Sequence, residues 1–387
     1  MSHRLSHESV IPTFIPEHKG KTRRPPVMPT KLAKIIDKAS STKQIAAAWE
    51  QWLNEDQGPC PGYRIAMSQD KSALKDKKTG SNDKWRKIVA ALYKEEDAPT
   101  DGRQSWETSQ LLIEFNSPLV HEDYDSDSTS DDEDGDGGGE KRRNVEQQIT
   151  TYVENALSLQ HRGAMFFLLV HGNCLWVKRW DRSGISTESF KYTSERARLR
   201  DILWGFSRLD AGQQGFDTTA ILLTSDSDEY KLMDDLKIDH DGTDISEADG
   251  TVVTKAQEQY TFHFVRKAFA ESIADGVPRY CMTVPVGNEE RRFLVGKATF
   301  VSTRITGRGT RGFVAWDVTG KRFTFLKDAW RRRHQTVSTE GQVLRNLMTG
   351  FMGLNTMATS FAPCSPPLPL LAPFIPLQHR SAPRSTV

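Results

Sequence analysis

No two of the four cysteines (Cys60, Cys174, Cys281, Cys364) form a C-x-x-C pair. Neither a zinc site nor a disulfide framework follows from such scattered thiols, and the reading is a reduced, intracellular protein, cytoplasmic or nuclear. An excess of one charge is lacking as well. The chain has 52 Lys+Arg against 51 Asp+Glu, a formal net charge of +1 over 387 residues. Global electrostatics therefore gives no case for nucleic acid or a membrane surface as a partner. Long apolar runs are absent too. The opening MSHRLSHESV has none and is no signal peptide, and the apolar stretch 368–377 is broken by Pro369, Pro373 and Pro376, so it does not span a bilayer. With 37% hydrophobic and 27% charged residues, folded cores are diluted by solvated segments. The length allows two ordinary domains with unstructured connections.

What is present reads as an α+β chain. Residues 1–30 are polar and rich in proline and basic residues, which predicts a disordered arm. A helical segment is expected over 31–100. Ser41 and Gln44 resemble a capping box, and Ile45, Ala48, Trp49, Trp52 and Leu53 fall on one helical face. A second short helix is expected over 83–93. A central α+β module is expected over 106–223. It opens with a strand at 110–115. The acidic run 122–136 and its glycines then predict a disordered loop over 121–141. Val145, Ile149, Tyr152, Val153 and Ala156 share a helical face, and two strand-like runs flank Gly172-Asn173 as a hairpin. Leu199, Ile202, Leu203, Phe206 and Leu209 mark another helix, capped by Thr193 or Ser194. Residues 224–250 read as a linker and 254–270 as a helix. Strand-like runs follow at 279–284, 291–295, 299–305 and 312–325, the last with a turn inside it. The tail 348–387 is Pro-rich and expected to be disordered.

The chemistry lies in Gly307-Arg-Gly309-Thr-Arg-Gly312-Phe-Val314, which fits G-x-G-x-x-G-x-V. In a dinucleotide-binding fold the third glycine opens a helix. Here a β-branched and aromatic run follows, then the turn Asp317-Val-Thr-Gly320, then a strand ending at Lys327. Strand, glycine turn, strand, turn, strand lays a hairpin over a phosphate chain, with backbone N–H groups as donors. Lys327 comes twenty residues after Gly307, room for two short strands and a turn. A lysine there supplies a point charge to the α- and β-phosphates. Glu340 opens a helical stretch, where it either pairs with that lysine or is a surface acid.

The run GRGTRGFVAWDVTGKRFTFLKDAW, with EGQVLRNL after it, resembles the fungal-type protein kinase family. The upstream runs SLQHRGAMFFLLVHGNCLWVKRWDRSGISTESF and ILWGFSRLDAGQQGFDTT resemble it too. The resemblance spans about 106–347 and implies a partial kinase N-lobe over 251–347, of antiparallel strands plus one helix. It implies that Gly307, Gly309, Gly312 and Val314 cover ATP, that Lys327 contacts its phosphates, and that Glu340 pairs with Lys327. The reaction implied is phosphoryl transfer from ATP to a protein hydroxyl, with Mg only where a second lobe exists. The protein substrate is not identified by these residues.

Two departures qualify that expectation. Phe325, two before the lysine, stands where kinases usually have alanine against the adenine, and it narrows the pocket. No H-R-D-x-x-x-x-N and no D-F-G follows Glu340, and His161-Arg162 and His379-Arg380 are not followed by aspartate. The expectation is a truncated or mis-spliced family member, inactive as this chain. The alternative is a non-catalytic interaction or regulatory protein on a kinase-like and nuclease-like scaffold. For the latter, Glu114-Phe-Asn116 ends a strand where metal nucleases carry E-x-K, and Asn116 lacks the lysine's charge. Glu114 reads equally as an edge-strand charge. EF-hand loops fail in both acidic runs, which hold Lys141 and Ala248 where the closing glutamate is required.

Overall fold

Amphipathic periodicity at 3.6 and alternation at 2 each recur along the chain, and the resulting helices and strands sort into two sheets with separate cores. The structure, a computed structural model, describes residues 10–16, 23–68, 90–102, 105–116, 138–245, 261–274, 276–286, 289–302, 305–330 and 374–376. The chain divides into two compact units between Asp217 and Thr218. The fold class is α+β.

The first unit contains helices α1 (Val10–Phe14), α2 (Thr30–Asp37), α3 (Thr42–Leu53), α4 (Gly138–Leu159) and α5 (Arg196–Ser207). Its strands are β1 (Tyr63–Met67), β2 (Ala90–Lys94), β3 (Leu111–Asn116), β4 (Ala164–His171), β5 (Cys174–Asp181) and β6 (Gly184–Lys191). They form one sheet in the order β1-β2-β3-β4-β5-β6. Every neighbouring pair is antiparallel except β3 and β4, which run parallel with α4 as the connection. Alternate residues of β3 and β4 (Leu111, Ile113 and Phe115; Phe166, Leu168 and Val170) join a core with Trp49 and Trp52 of α3 and with Leu203 and Phe206 of α5. Leu112, Phe167 and Leu169 point to the other face, and α4 buries Ile149, Tyr152, Val153 and Ala156 completely. The four predicted α4 positions from Ile149 onward are thus its buried stripe.

Several expectations for this half are corrected. Ile15 and Met28, within the expected disordered arm, are buried at 4% and 0% exposure in the sheet's core. The helix expected over 83–93 meets a strand, β2, at its end. Ala90 to Tyr93 are all buried between β1 and β3, and a short apolar run suits a buried strand as well as a helix. With β1 and β2 in the sheet and α2 and α3 on it, 31–100 is no separate helical segment. Gln44 Oε1 accepts from the backbone N–H of Ser40 at 2.9 Å, and the N-cap Ser41 makes no side-chain cap bond. At α5 the N-cap is Glu195, because Ser194 Oγ donates to the Lys191 carbonyl at 3.0 Å and closes the turn. The backbone of α4 begins at Gly138, inside the expected loop, and the rest of 121–141 lies outside the described residues.

The second unit has helices α6 (Asp228–Leu236) and α7 (His263–Ser272). Its strands are β7 (Ala220–Leu222), β8 (Tyr280–Val286), β9 (Glu289–Val295), β10 (Phe300–Val301), β11 (Arg311–Asp317), β12 (Arg322–Asp328) and β13 (Phe374–Pro376). The sheet order is β13-β12-β11-β9-β8-β7, with β10 also on β11. All pairs are antiparallel except β12 with β13. One face buries Met282, Phe293, Val295, Phe313, Ala315 and Leu326. The other packs Leu294 and Phe323 against Met233 of α6, Phe269 of α7 and Ile273 just after that helix. The stretch 224–250, expected as a linker, therefore contains a core helix. Arg279 fastens it, donating to the Tyr230 carbonyl and to Asp234, both at 3.0 Å. The part of the expected 254–270 helix before 261 lies outside the described residues, as do 83–89 and the tail apart from β13. Among the described residues no helix is long and apolar enough to cross a membrane.

Candidate functional site

Residues 289–301 act as one strand with a bulge. Val295 pairs with Ala315 and Phe300 with Gly312, so residues 296–299 stand opposite Phe313 and Val314 alone. Gly296 makes the bulge possible. A Cβ there would lie 2.2 Å from the Ser272 carbonyl oxygen at the end of α7, which instead accepts from the Lys297 N–H at 2.7 Å.

The glycine turn then links β10 to β11. The Ser302 N–H donates to the Thr310 carbonyl at 2.8 Å and closes it. Gly307 is exposed at φ 96° and Gly309 buried at φ 44°, left-handed conformations that favour glycine. The Arg308 carbonyl, between them, accepts from the Trp330 N–H at 2.7 Å, tying the turn to the end of β12. From β11 the chain reverses at Asp317, whose Oδ1 accepts from the N–H groups of Thr319 and Gly320 at 3.1 and 3.0 Å. Asp317 is fully buried and ion-paired with Arg291.

Register places the chemistry. Gly312 pairs with Phe300 on one side and Lys327 on the other, and Val314 pairs with Phe325. Period-2 alternation puts Phe300, Gly312, Val314, Phe325 and Lys327 on one face, the face that carries α7 further along. A cavity of about 370 Å³ opens there, lined by Phe300, Ser302, Thr310, Gly312, Phe325 and Lys327, with Arg311 at its margin. Phe325 reaches diagonally across it. A Cβ added to Gly312 would stand 2.5 Å from Phe325 Cζ, so the aromatic ring holds the space that the glycine leaves.

On the opposite face, directly beneath the Gly312–Lys327 pair, Arg311 and Asp328 are register partners joined at 2.6 Å through Nη2 and 3.2 Å through Nε. Both side chains are largely buried, at 4% and 13% exposure. A misregister of one residue would turn Lys327 to the wrong face and break this pair. Sequence reasoning missed the pair. Its signal was a basic and an acidic residue at core-facing positions, each adjoining a predicted site residue.

Of the predicted site residues, Gly312, Val314 and Lys327 thus share one face, with Gly307 and Gly309 in the turn at its end. Glu340, its helix and its pairing with Lys327 lie outside the described residues, as does the basic run 331–333.

The other candidate residues are in the first unit. Glu114 sits on β3, an interior strand between β2 and β4, so it is no edge-strand charge. It is 4% exposed, its Oε2 has no hydrogen-bond partner among the described residues, and burial pushes its carboxyl up to about 8. His161-Arg162, which lacks a following aspartate, is structural. The Arg162 guanidinium donates to the carbonyls of Ala164 and Gln214 at 2.8 and 2.7 Å and to Gln160 Oε1 at 2.9 Å, and lies 4.0 Å from the Phe216 ring centre. In the loop near 239, Asp239 accepts from the N–H groups of Thr243 and Asp244, and Asp244 pairs with Arg266. Among the described residues no group of three or more His, Cys, Asp or Glu is placed to hold a metal ion.

The family model for fungal protein kinases matches residues 135–360, more than half of the chain. That span takes in α4, the glycine turn and Lys327. No curated protein and no solved structure matches the chain.

Proposed function

The chain belongs to the fungal protein kinase family, and we propose that it holds the phosphates of ATP on the face of β10, β11 and β12, with the 307–312 turn as lid and Lys327 as the cation. One observation carries this reading. Lys327 stands opposite Gly312 in register, on the same face, at the rim of a cavity also lined by Ser302, Thr310 and Gly312. The Lys327 ammonium would meet the phosphate oxygens, the loop N–H groups would cover them, and Val314 would offer an apolar surface beside them. When bound, ATP supplies a transferable γ-phosphoryl group.

The family's reaction transfers that group to a protein hydroxyl. The 387 residues contain neither H-R-D-x-x-x-x-N nor D-F-G, the sources of the base and the Mg ligands. This polypeptide is therefore expected to bind without turning over. Calorimetric titration of the full chain with ATP tests the binding, and Lys327→Ala should weaken it by about tenfold or more, the loss of one charged contact. Equal affinity in the two proteins would remove Lys327 from the site. Transfer of labelled phosphate that Lys327→Ala abolishes would overturn the expectation of no turnover.

A second reading for the first unit has its own observation. Glu114 is buried on β3, a strand that ends in Glu114-Phe-Asn116 and is followed by the crossover helix α4 and the parallel strand β4, a point at which nuclease-like folds carry E-x-K. With Asn116 in the lysine's position, this unit serves as a non-catalytic scaffold.

A further inference from the structure

The second sheet ends at β13, and that edge comes from far along the chain. Residues 374–376 lie parallel to β12, with Phe374 opposite Phe325, Ile375 opposite Leu326 and Pro376 opposite Lys327. The segment lies beyond the 135–360 match, so the pairing is not part of what the family model describes. On its other side β12 pairs with β11, and without β13 it would be the edge of the sheet. Such an edge presents a row of unpaired N–H and C=O groups, a template for another extended segment. Local sequence explains why 374–376 fits there. Phe374 and Ile375 are strand-forming types set between Pro373 and Pro376. Ile375 precedes a proline, which restricts it to extended backbone, so laying it along a strand costs less conformational entropy. Pro376 has no N–H, and a proline on an edge strand blunts further pairing.

We propose that the open side of β12 is a strand-addition site for an extended peptide of the type hydrophobic-hydrophobic-proline, and that residues 374–376 are its resident occupant. Main-chain hydrogen bonds supply the affinity of such a site. Three residues are short for a strand and hold weakly by themselves. The occupant stays because it belongs to the same chain, which gives it an effective concentration on the order of millimolar. A free peptide of the same sequence therefore gains the edge only when the resident leaves it. Lys327 has Gly312 on one side in register and Pro376 on the other, so release of 374–376 leaves its strand paired on one side only. The edge acts through the backbone of 325–327, whether or not the neighbouring cavity holds phosphate.

The test uses the full chain, as wild type and with Phe374→Pro and Ile375→Pro together, which leaves the segment no backbone donor. Thermal melting establishes that the double variant is folded. A labelled synthetic peptide of residues 368–380 is titrated into each protein and followed by fluorescence anisotropy. The double variant, its edge vacated, is expected to bind the peptide about tenfold or more tightly than wild type. The same peptide carrying the two proline substitutions should bind neither protein. Equal or weaker binding by the variant, or binding by neither protein, overturns the site. Equal binding of the proline-substituted peptide by the variant also overturns it, because the contact would then need no strand pairing. Should the variant fail to fold, amide exchange of the wild type decides. Alternate N–H groups of a strand face its neighbour, so one of the Phe374 and Ile375 amides should exchange about tenfold or more slowly than those of Leu370 and Leu371. If both exchange as fast as those leucines, no strand is seated on β12 and the proposal fails.

Discussion

Arg311 and Asp328 meet across β11 and β12 as a buried ion pair, 2.6 Å apart, each adjoining one of the two residues that face each other on the cavity side, Gly312 and Lys327. The pair holds the strands in the register that puts lysine opposite glycine. Removing one partner leaves a buried charge without compensation, a loss of about 3–5 kcal/mol, whereas replacing both with apolar residues of similar volume is often neutral. Asp328→Leu alone is therefore expected to lower the urea midpoint sharply, and Arg311→Met with Asp328→Leu to recover most of it. If the double variant is no more stable than the single one, the ion pair is not the element that matters.

Glu114 makes the first unit's stability depend on pH in an unusual direction. In the unfolded chain its carboxyl ionises at the ordinary value of 4.5, and burial pushes it to about 8 in the fold. Between those values the folded state binds more protons than the unfolded one, so stability falls as pH rises through this window and levels off above it. At about 1.4 kcal/mol per pH unit the full effect is at most about 5 kcal/mol. Glu114→Gln should match wild type near pH 4.5 and exceed it by several kcal/mol near pH 8.5 in urea unfolding. Parallel pH profiles for the two proteins would show that Glu114 ionises normally in the fold.

Arg162 is the structural counterpart, a buried cation whose donors are used. Its bonds to Ala164, Gln160 and Gln214 bind the 210–217 loop to the start of β4, where Gly215 at φ 99° approaches so closely that a Cβ would lie 2.1 Å from the Ala164 carbonyl oxygen. Arg162→Met leaves those acceptors buried and unpaired, and a loss of roughly 3–5 kcal/mol is expected. Amide exchange should quicken first in 210–217. A loss below about 1 kcal/mol would mean that the loop is held by other contacts.

Much of this architecture was legible from periodicity. The buried faces of α3, α4 and α5, the Gly172-Asn173 hairpin and the strand–turn–strand around the glycines all follow from local pattern. The misreadings have a common cause. Ala90 to Tyr93 and Ile15 are short apolar runs or single residues whose fate is decided by a distant sheet, and α6 carries only Met233 fully into the core. At the site, the glycines and Lys327 were visible as a motif. Phe325 was visible as a bulky residue but not as the occupant of the Gly312 notch, because that contact is diagonal across two strands. Arg311 and Asp328 looked like ordinary strand charges until register put them face to face.

The close approach of Gly296 to the end of α7 bears on how natural variants of this protein can be read. With 2.2 Å between a would-be Cβ and the Ser272 carbonyl oxygen, no other residue type fits while the helix stays where it is. The identity of position 296 is therefore a marker for helix placement that is independent of the glycine turn. A homologue with glycine there can keep both bulge and helix even after its lid has diverged, and one with any side chain there must have moved α7, however well its lid is preserved.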